Sequence, residues 1–163
     1  MLEVHPCTAD DTADLDELLA ASHREHLGRY PELAGSYRAG VDPGARFLLA
    51  RSNGADGADA LGCVAVQPLA VLGVPPGAYE VKRVYVRAGA RRLGVGSALM
   101  AAAETLSAGL GTRVLYLETG VRHTAAQGLF RSRGFRPVPP YPPYLDDPFA
   151  LCFSKRLEPR APA

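Results

Sequence analysis

Two arginines and two glycines between a strand-like and a helix-like segment are the residues most suggestive of chemistry. In "VYVRAGARRLGVGSALM", Arg91 and Arg92 precede Gly94 and Gly96. The first N–H groups of a helix lack partners within the helix and lie at the positive end of its dipole. Glycine also lets a ligand approach the backbone closely. We therefore predict that the backbone N–H groups of residues 92–97 bind a pyrophosphate.

Two other interpretations of this segment are weaker. A dinucleotide-binding fold has G-x-G-x-x-G directly after a strand, with an acid about 20 residues later. Gly94, Gly96 and Glu118 fit that pattern, but Leu99 occupies the third position, and residues 87–93 separate the strand from the first glycine. The glycines could also serve only a tight turn. The two arginines and the exposed helix start favour phosphate binding.

The rest of the chain predicts one mixed α/β domain over residues 1–157, followed by a disordered tail over 158–163. Three strands joined by short turns predict an antiparallel meander, and the later strand–helix–strand–helix order predicts parallel strands. An amphipathic helix with acids in its first turn follows the first strand. The predicted strands are Leu2–Pro6, Arg46–Arg51, Leu61–Val71, Tyr79–Arg87, Thr112–Gly120, a strand from Phe135, and Phe149–Leu157.

The segment "YEVKRVYVR" alternates as a strand does. The alternation assigns two opposite faces, with Val81, Arg83, Tyr85 and Arg87 on one and Glu80, Lys82, Val84 and Val86 on the other.

Composition and charge exclude several classes of protein. The net charge of +1 gives no bulk attraction to nucleic acid or to an anionic membrane. No apolar run is long enough to span a bilayer, and the acidic N-terminus lacks the order of a signal peptide, so we expect a cytoplasmic protein. No metal-binding motif is present. The three cysteines fit neither a zinc site nor CxxC, and we expect small buried apolar residues.

Two motifs resemble those of the GNAT family of N-acetyltransferases. The first resembles the coenzyme A signature Arg/Gln-x-x-Gly-x-Gly/Ala, and "AAQGLFRSRGF" is similar to a later element, A-x-x-L-[Y/F]-x-x-x-G-F. The matching residues are Arg91, Gly94 and Gly96 in the first motif, and Ala126, Leu129, Phe130, Gly134 and Phe135 in the second. The resemblance implies an α/β (α+β) fold with a mixed central sheet of six to seven strands. An antiparallel meander precedes a βαβα unit, and the sheet is splayed between the fourth and fifth strands.

The resemblance implies acetyl transfer from acetyl-CoA, as co-substrate, to the amine of a small molecule or a peptide. The pantetheine arm would pair with the fourth strand, where a backbone N–H near Val86 would polarise the thioester carbonyl. The implied cofactor-binding residues are Val84, Tyr85, Val86, Arg91, Arg92, Leu93, Gly94, Val95, Gly96, Ser97, His123, Phe130 and Arg133. Among these, His123 stands where many relatives have asparagine. Arg133, or Arg131 beside it, would reach the 3′-phosphate, although basic residues also suit a helix end.

Catalysis needs a base because an alkyl amine is mostly protonated at pH 7. With a pKa of ~10.4, roughly one molecule in a thousand is the free amine. The resemblance points first to Glu80 at the start of the fourth strand, and second to Glu118 at the end of the neighbouring strand. The alternative for each is a solvated charge at a strand end. The family often has a tyrosine where this chain has Phe130, so Tyr141 and Tyr144 become the candidate proton donors.

A thiol with a pKa of ~8.5 can also leave without an acid. Tyr141 and Tyr144 could equally be anchors of a proline-rich loop, and Tyr116 could face the cleft. Relatives build the acceptor pocket from the first helix, which makes His26 and Tyr30, together with Glu118, the acceptor-site candidates. His23 and Tyr37 belong to the same region, and the alternative for all four histidine and tyrosine side chains is a helix-surface position without a role in binding.

Two functional hypotheses remain from the sequence. The first is a cytoplasmic N-acetyltransferase that acts by direct transfer. Many relatives form a homodimer, but no motif in this sequence establishes one. The second, which Phe130 motivates, is an acyl-CoA-binding sensor or interaction module with reduced catalysis.

Overall fold

A computed structural model describes residues 1–35, 42–54 and 57–158 of the chain. Within these ranges seven strands form one mixed sheet in the order β1-β2-β3-β4-β5-β7-β6, which confirms the predicted fold class. The strands are β1 Leu2–Pro6, β2 Arg46–Gly54, β3 Gly57–Pro68, β4 Tyr79–Val86, β5 Val114–Gly120, β6 Arg136–Val138 and β7 Ala150–Arg156. The helices are α1 Thr12–Arg29, α2 Val95–Gly109 and α3 Thr124–Ser132.

The elements follow the sequence patterns with small shifts at their ends. The hairpin strand predicted from Leu61 begins earlier, at Gly57, because its pairing with β2 continues toward the turn. The predicted tail lies outside the described residues except for Glu158, which is exposed. No described helix combines the length and the apolar character that crossing a membrane requires.

The sheet opens between its two central strands. β4 and β5 run parallel but pair only at their beginnings, from Tyr79 opposite Leu115 to Val81 opposite Leu117. Further along, the two strands separate, so that the end of β4 loses its neighbour on this side. The separation forms the V-shaped opening that the family resemblance implied.

A β-bulge in β4 overturns the predicted alternation of side chains. Lys82 pairs with Ala65 and Tyr85 pairs with Cys63, so that three steps along β4 lie opposite two along β3. Arg83 adopts the left-handed conformation with φ of 57°, which is a strained backbone for a residue with a side chain. The extra residue reverses which face the following side chains occupy.

The assignment of Val84 and Val86 to the face opposite Val81 was therefore wrong. All three valines belong to the core under α2, whereas Tyr85 packs with Leu18 on the other face. The sequence gives no warning of this bulge because an arginine, and not a glycine, occupies the left-handed position.

The core lies on both faces of the sheet. On one face α2 and α3 cover the largest cluster, which includes Leu99, Met100, Leu117 and Phe135. On the other face α1 contributes Leu15, Leu18 and Leu19 at the predicted helical spacing, packed on Leu49 and Cys63. A third cluster lies beneath the loop between β6 and β7 and contains Leu69, Ala78, Tyr141 and Cys152.

The cysteines mostly behave as small apolar residues. Cys63 and Cys152 are buried, and Cys7, which follows β1, is half-buried. Burial raises the pKa of the Cys63 thiol to about 12 and that of Cys7 to about 11. At neutral pH both are therefore protonated and poor nucleophiles.

Candidate active site

A cleft with a volume of about 1080 Å³ lies at the opening of the sheet. It runs from the start of α2, between the separated ends of β4 and β5, to α1 and to the loop between β6 and β7. The predicted cofactor-binding residues in its lining are Val84, Tyr85, Val86, Arg91, Arg92, Gly94, Gly96, Ser97, His123 and Phe130. The predicted acceptor residues His26, Tyr30 and Glu118 line it too, as does Tyr144.

The turn before α2 presents the helix start to the cleft. Gly94 caps α2 with a left-handed φ of 82°, and Arg92 also has a positive φ, of 63°. At Gly96 a Cβ atom would lie 3.1 Å from Leu129 Cδ2, so this glycine lets α2 and α3 pack closely. The first N–H groups of α2 are thus available to an anion beside Arg92 and Ser97.

Arg91 is held by α1 in this structure. Its Nε donates to the Val86 carbonyl at 3.0 Å, and its Nη2 donates to Glu25 Oε2 at 2.6 Å. The guanidinium also lies over the Tyr85 ring, 5.6 Å from the centroid. The bond to Glu25 lowers the pKa of that carboxyl, so the pair is ionised at neutral pH.

Three of the predicted cofactor residues do not line the cleft. Leu93 is exposed, and Val95 is buried beneath the helix start. Arg133 binds Glu104, with Nη2 and Oε2 2.5 Å apart, in an ion-pair cluster that Lys155 completes. The neighbouring Arg131 stacks over Phe153. The basic end of α3 therefore has intramolecular partners.

Phe130 forms part of the apolar wall of the cleft. It is 4% exposed and packs edge-on against Phe135, with ring centroids 6.2 Å apart. Its side chain has no hydroxyl to donate. Any proton donor must therefore come from another element.

Beneath the cleft, Glu80 is 2% exposed and both of its oxygens are engaged. Tyr141 donates its hydroxyl to Oε2, and Lys82 Nζ lies 3.4 Å from Oε1. Tyr141 is itself 4% exposed. Burial, and then the neighbouring Glu80 carboxylate, strongly raise the pKa of its phenol. Neither Glu80 nor Tyr141 lines the cleft, whereas Lys82 and Tyr144 do.

Glu118 is the carboxyl that opens onto the cleft from β5. Burial raises its pKa to about 7, and the negative charges of Asp147 and Glu80 add to the rise, while Lys82 opposes it. Among the residues that the structure describes, its carboxyl forms no hydrogen bond. Such a group exchanges a proton near neutral pH, as a general base must.

Two histidines meet at the start of α3. Arg29 Nη1 donates to His123 Nδ1 at 2.6 Å, and His123 Nε2 lies 3.3 Å from His26 Nδ1. Burial and then Arg29 lower the pKa of His123 to about 4, and burial also lowers that of His26. Both rings are neutral at pH 7. Because Arg29 can only donate, His123 carries its proton on Nε2 and donates to His26.

Tyr30 is fixed at the end of β5 rather than free to turn toward a ligand. Its oxygen accepts from the Arg122 backbone N–H at 2.7 Å, and the Arg122 guanidinium lies over its ring at 4.7 Å. A Cβ atom at Gly120 would approach the Tyr30 oxygen to 2.2 Å and a His123 carbon to 2.8 Å. Gly120 is thus required for this packing.

The sequence alone did not identify several residues of the cleft. Lys82 could have been found, because it follows Glu80 by two positions on a strand and must share its face. Glu25 and Arg29 form a local i,i+4 ion pair, but nothing local indicates their contacts in the cleft, which are to Arg91 in the turn before α2 and to His123 at the start of α3. Of the weaker candidates, Tyr116 packs against Tyr141 with ring centroids 5.4 Å apart, and Tyr37 lies outside the described residues. No group of three potential metal ligands occurs among the described residues.

Known proteins provide an independent comparison. Residues 12–135 match the sequence model of the acetyltransferase (GNAT) family. A protein of Azospirillum brasilense named IAA acetyltransferase is 35% identical over 115 residues, which cover 71% of this chain and 70% of that protein. These matches leave no support for a dinucleotide-binding fold.

Solved structures agree with the sequence comparison. A Klebsiella pneumoniae protein assigned as an acyl-CoA N-acyltransferase superposes with a TM-score of 0.75 at 28% identity, over 97% of this chain and 99% of that chain. A GNAT acetyltransferase of Elizabethkingia anophelis with acetyl-CoA bound has a TM-score of 0.64 at 20% identity, over 96% and 98% of the two chains.

Proposed function

The chain belongs to the GNAT family of acetyltransferases, and we propose that residues 1–157 act as one domain that transfers an acetyl group directly from acetyl-CoA to an amine. The amine belongs to a small molecule or a peptide. The observation that carries the proposal is the cleft itself. One opening joins a helix start suited to a pyrophosphate, an unpaired strand edge and a carboxyl with a pKa near neutrality.

The residues present fit acetyl-CoA as a co-substrate. The pyrophosphate would bind the N–H groups at the start of α2, with Arg92 and Ser97 beside them. Val84 to Val86 offer backbone groups on the side of β4 where β5 has separated. The bulge at Arg83 disturbs the hydrogen-bond ladder with β3, which supports a role for an N–H of this segment in polarising the thioester carbonyl.

Glu118 is the better candidate for the general base. The amine must lose a proton before or during attack, and a base that lines the cleft can accept it. Glu118 lines the cleft and has a pKa of about 7. Glu80 is buried beneath the cleft with both oxygens engaged, so its carboxylate is better suited to holding other side chains in place.

Phe130 alone gives no reason to propose a non-catalytic acyl-CoA sensor. The cleft retains a candidate base in Glu118 and a phenol in Tyr144. A thiol has a pKa of ~8.5 in water, so its thiolate needs less assistance to leave than an alkoxide would. Homodimer formation stays a prediction from the family resemblance.

The proposal is tested by thiol release from acetyl-CoA with a panel of amines. The panel contains 2-phenylethylamine, ethanolamine, spermidine, glucosamine and a lysine-containing tetrapeptide, each with an enzyme-free control. We expect at least one amine to accelerate thiol release in proportion to the protein concentration. Binding of acetyl-CoA without accelerated release for any amine of the panel would count against acetyl transfer to these acceptor classes.

A further inference from the structure

Four polar side chains form a connected row from the buried floor to the wall of the cleft. Tyr141 donates to Glu80, Glu80 forms an ion pair with Lys82, and Lys82 donates to the hydroxyl of Tyr144. The Lys82 ammonium also lies 5.0 Å from the centroid of the Tyr144 ring. We propose that Lys82 is a positioning residue that holds the Tyr144 phenol as the proton donor to the departing thiolate.

The inference rests on the proposed acetyl transfer and names the residues that complete it. Phe130 cannot donate a proton, yet it lines the same cleft as Tyr144. The two residues come from different elements, α3 and the loop between β6 and β7. The cleft therefore has a phenol on a different wall from the one that Phe130 forms.

Glu80 explains why Lys82 stays in place. A lysine side chain loses considerable rotamer freedom when it is fixed. Here the ammonium lies between a carboxylate that is nearly inaccessible to solvent and the Tyr144 oxygen. Tyr141, which engages the other carboxylate oxygen, fixes Glu80 in turn. The buried charge is compensated, as a buried carboxylate requires.

Tyr144 is itself restrained by neighbouring side chains. Its ring packs edge-on against Tyr141, with centroids 5.5 Å apart. Its oxygen accepts a hydrogen bond from Lys82, and an ammonium has donors only. The phenolic proton must therefore be directed away from Lys82. Lys82 thus helps to fix the oxygen and prevents the phenolic proton from pointing toward the ammonium.

The proton transfer balances as follows. The acceptor ammonium gives one proton to Glu118, which passes it to water, and the neutral nitrogen forms the new bond to the acetyl carbon. As the tetrahedral intermediate collapses, the nitrogen gives a second proton to the Glu118 carboxylate, and the amide keeps the third. When the C–S bond breaks, the electron pair goes to sulfur, and sulfur takes the Tyr144 proton to give the free thiol. The resulting phenolate is stabilised by the adjacent Lys82 ammonium and regains a proton from water. An ammonium acceptor releases one net proton per turnover.

Other charged or titratable groups surround this row on the neighbouring elements. Glu118 and Tyr116 lie on β5, Asp147 follows Tyr144 in the same loop, and Cys152 lies on β7. Lys82, a member of the row itself, donates a hydrogen bond to the phenol. A neutral residue at position 82 would leave the phenol without this contact.

The test is a double-mutant cycle on Lys82→Met and Tyr144→Phe. It uses acetyl-CoA and the panel amine that gives the fastest thiol release with the wild-type chain. The matched control is Lys155→Met, which removes a lysine that pairs with Glu104 and lies 6.0 Å from the Phe135 ring centroid, outside the cleft lining. Each variant is also measured for its Tm and for its Kd for acetyl-CoA.

We expect Tyr144→Phe to lower kcat by about 10- to 100-fold, at the low end for a general acid because a thiolate leaves readily. Lys82→Met should lower kcat roughly 10-fold with little change in KM for acetyl-CoA. Lys82 also lowers the pKa of Glu118, so the cycle is measured at pH 9, above that pKa. There the double variant should be no slower than Tyr144→Phe alone, because Lys82 then acts through the phenol. Lys82→Arg should retain most of the activity, and Lys155→Met all of it.

Multiplicative losses in the double variant would overturn the inference, and so would a wild-type kcat for Lys82→Met or Tyr144→Phe. If Lys82→Met does not fold, Lys82→Gln replaces it in the same cycle. Failure of the proposed function is a separate result, since the wild-type chain would then release no thiol with any amine.

Discussion

Replacing Glu118 by glutamine should make the protein slower and, at alkaline pH, more stable. The carboxyl has a pKa of about 7 in the folded chain, against 4.5 for an ordinary glutamate. Below pH 4.5 the group is protonated in both folded and unfolded states and contributes no difference. Between pH 4.5 and 7 the folded state binds the extra proton, so stability falls as pH rises. Above pH 7 the full penalty for the buried charge remains.

The size of the penalty follows from that shift. At 1.36 kcal/mol per unit, the upper bound is about 3 kcal/mol at pH 8. Because the carboxyl opens onto a cleft that water can enter, we expect about 1–2 kcal/mol. For a chain of this size each kcal/mol changes Tm by about 2–4 °C, so Glu118→Gln should gain roughly 2–8 °C at pH 8. At pH 5 most of this gain should disappear.

Thermal unfolding at pH 5 and pH 8 measures the stability difference, and thiol release at pH 7 measures the chemistry. The control is Asp16→Asn, which removes one negative charge at an exposed position of α1 and should show no such dependence on pH. Activity of Glu118→Gln should fall at least 100-fold at pH 7. It should recover partly as pH approaches the ~10.4 pKa of an alkyl amine.

Two results would refute this reasoning. An equal Tm gain at pH 5 and pH 8 would show that the carboxyl is not held protonated by burial. Full activity at pH 7 would show that Glu118 is not the base, and a loss with Glu80→Gln instead would assign that role to Glu80.

Two further substitutions test the walls of the cleft. Glu25→Gln should free Arg91 from its 2.6 Å ion pair with α1. Because a partly exposed ion pair is worth ~1 kcal/mol, we expect acetyl-CoA to bind up to about fivefold more tightly, as measured by calorimetric titration. Weaker binding would mean that Glu25 instead orients Arg91. Gly120→Ala should displace the Tyr30 oxygen, because the new Cβ atom would overlap with it. We expect a larger increase in KM for the amine than in KM for acetyl-CoA. Equal KM values in variant and wild type would show that Tyr30 does not shape the acceptor side.

The sequence predicted the architecture because the signals for it are local. Glycines before α2, the alternating strands and the apolar stripe of α1 each reflect a short segment. The mixed sheet and the opening between β4 and β5 agree with the family resemblance. The bulge in β4 was not predicted because Arg83 is not a residue type that favours a left-handed backbone.

The candidate site was less predictable because its contacts join distant parts of the chain. Glu80 and Tyr141 were each named as catalytic candidates, but the sequence could not reveal that they bind one another beneath the cleft. The same holds for Arg133, whose partner Glu104 lies on another helix. Glu118 was ranked second because its degree of burial, which raises its pKa, depends on the complete fold.

The measurement that tests the central claim most directly follows an isotopic label from acetyl-CoA. The wild-type chain is mixed with carbonyl-labelled acetyl-CoA and the amine panel, and both the small molecules and the intact protein are analysed by mass spectrometry after rapid quenching. We predict that the label appears as an amide of at least one panel amine and never as an acetylated form of the protein during turnover. A folded protein that binds acetyl-CoA but yields no labelled amide, or that carries the label on a side chain before the amine does, would contradict direct acetyl transfer.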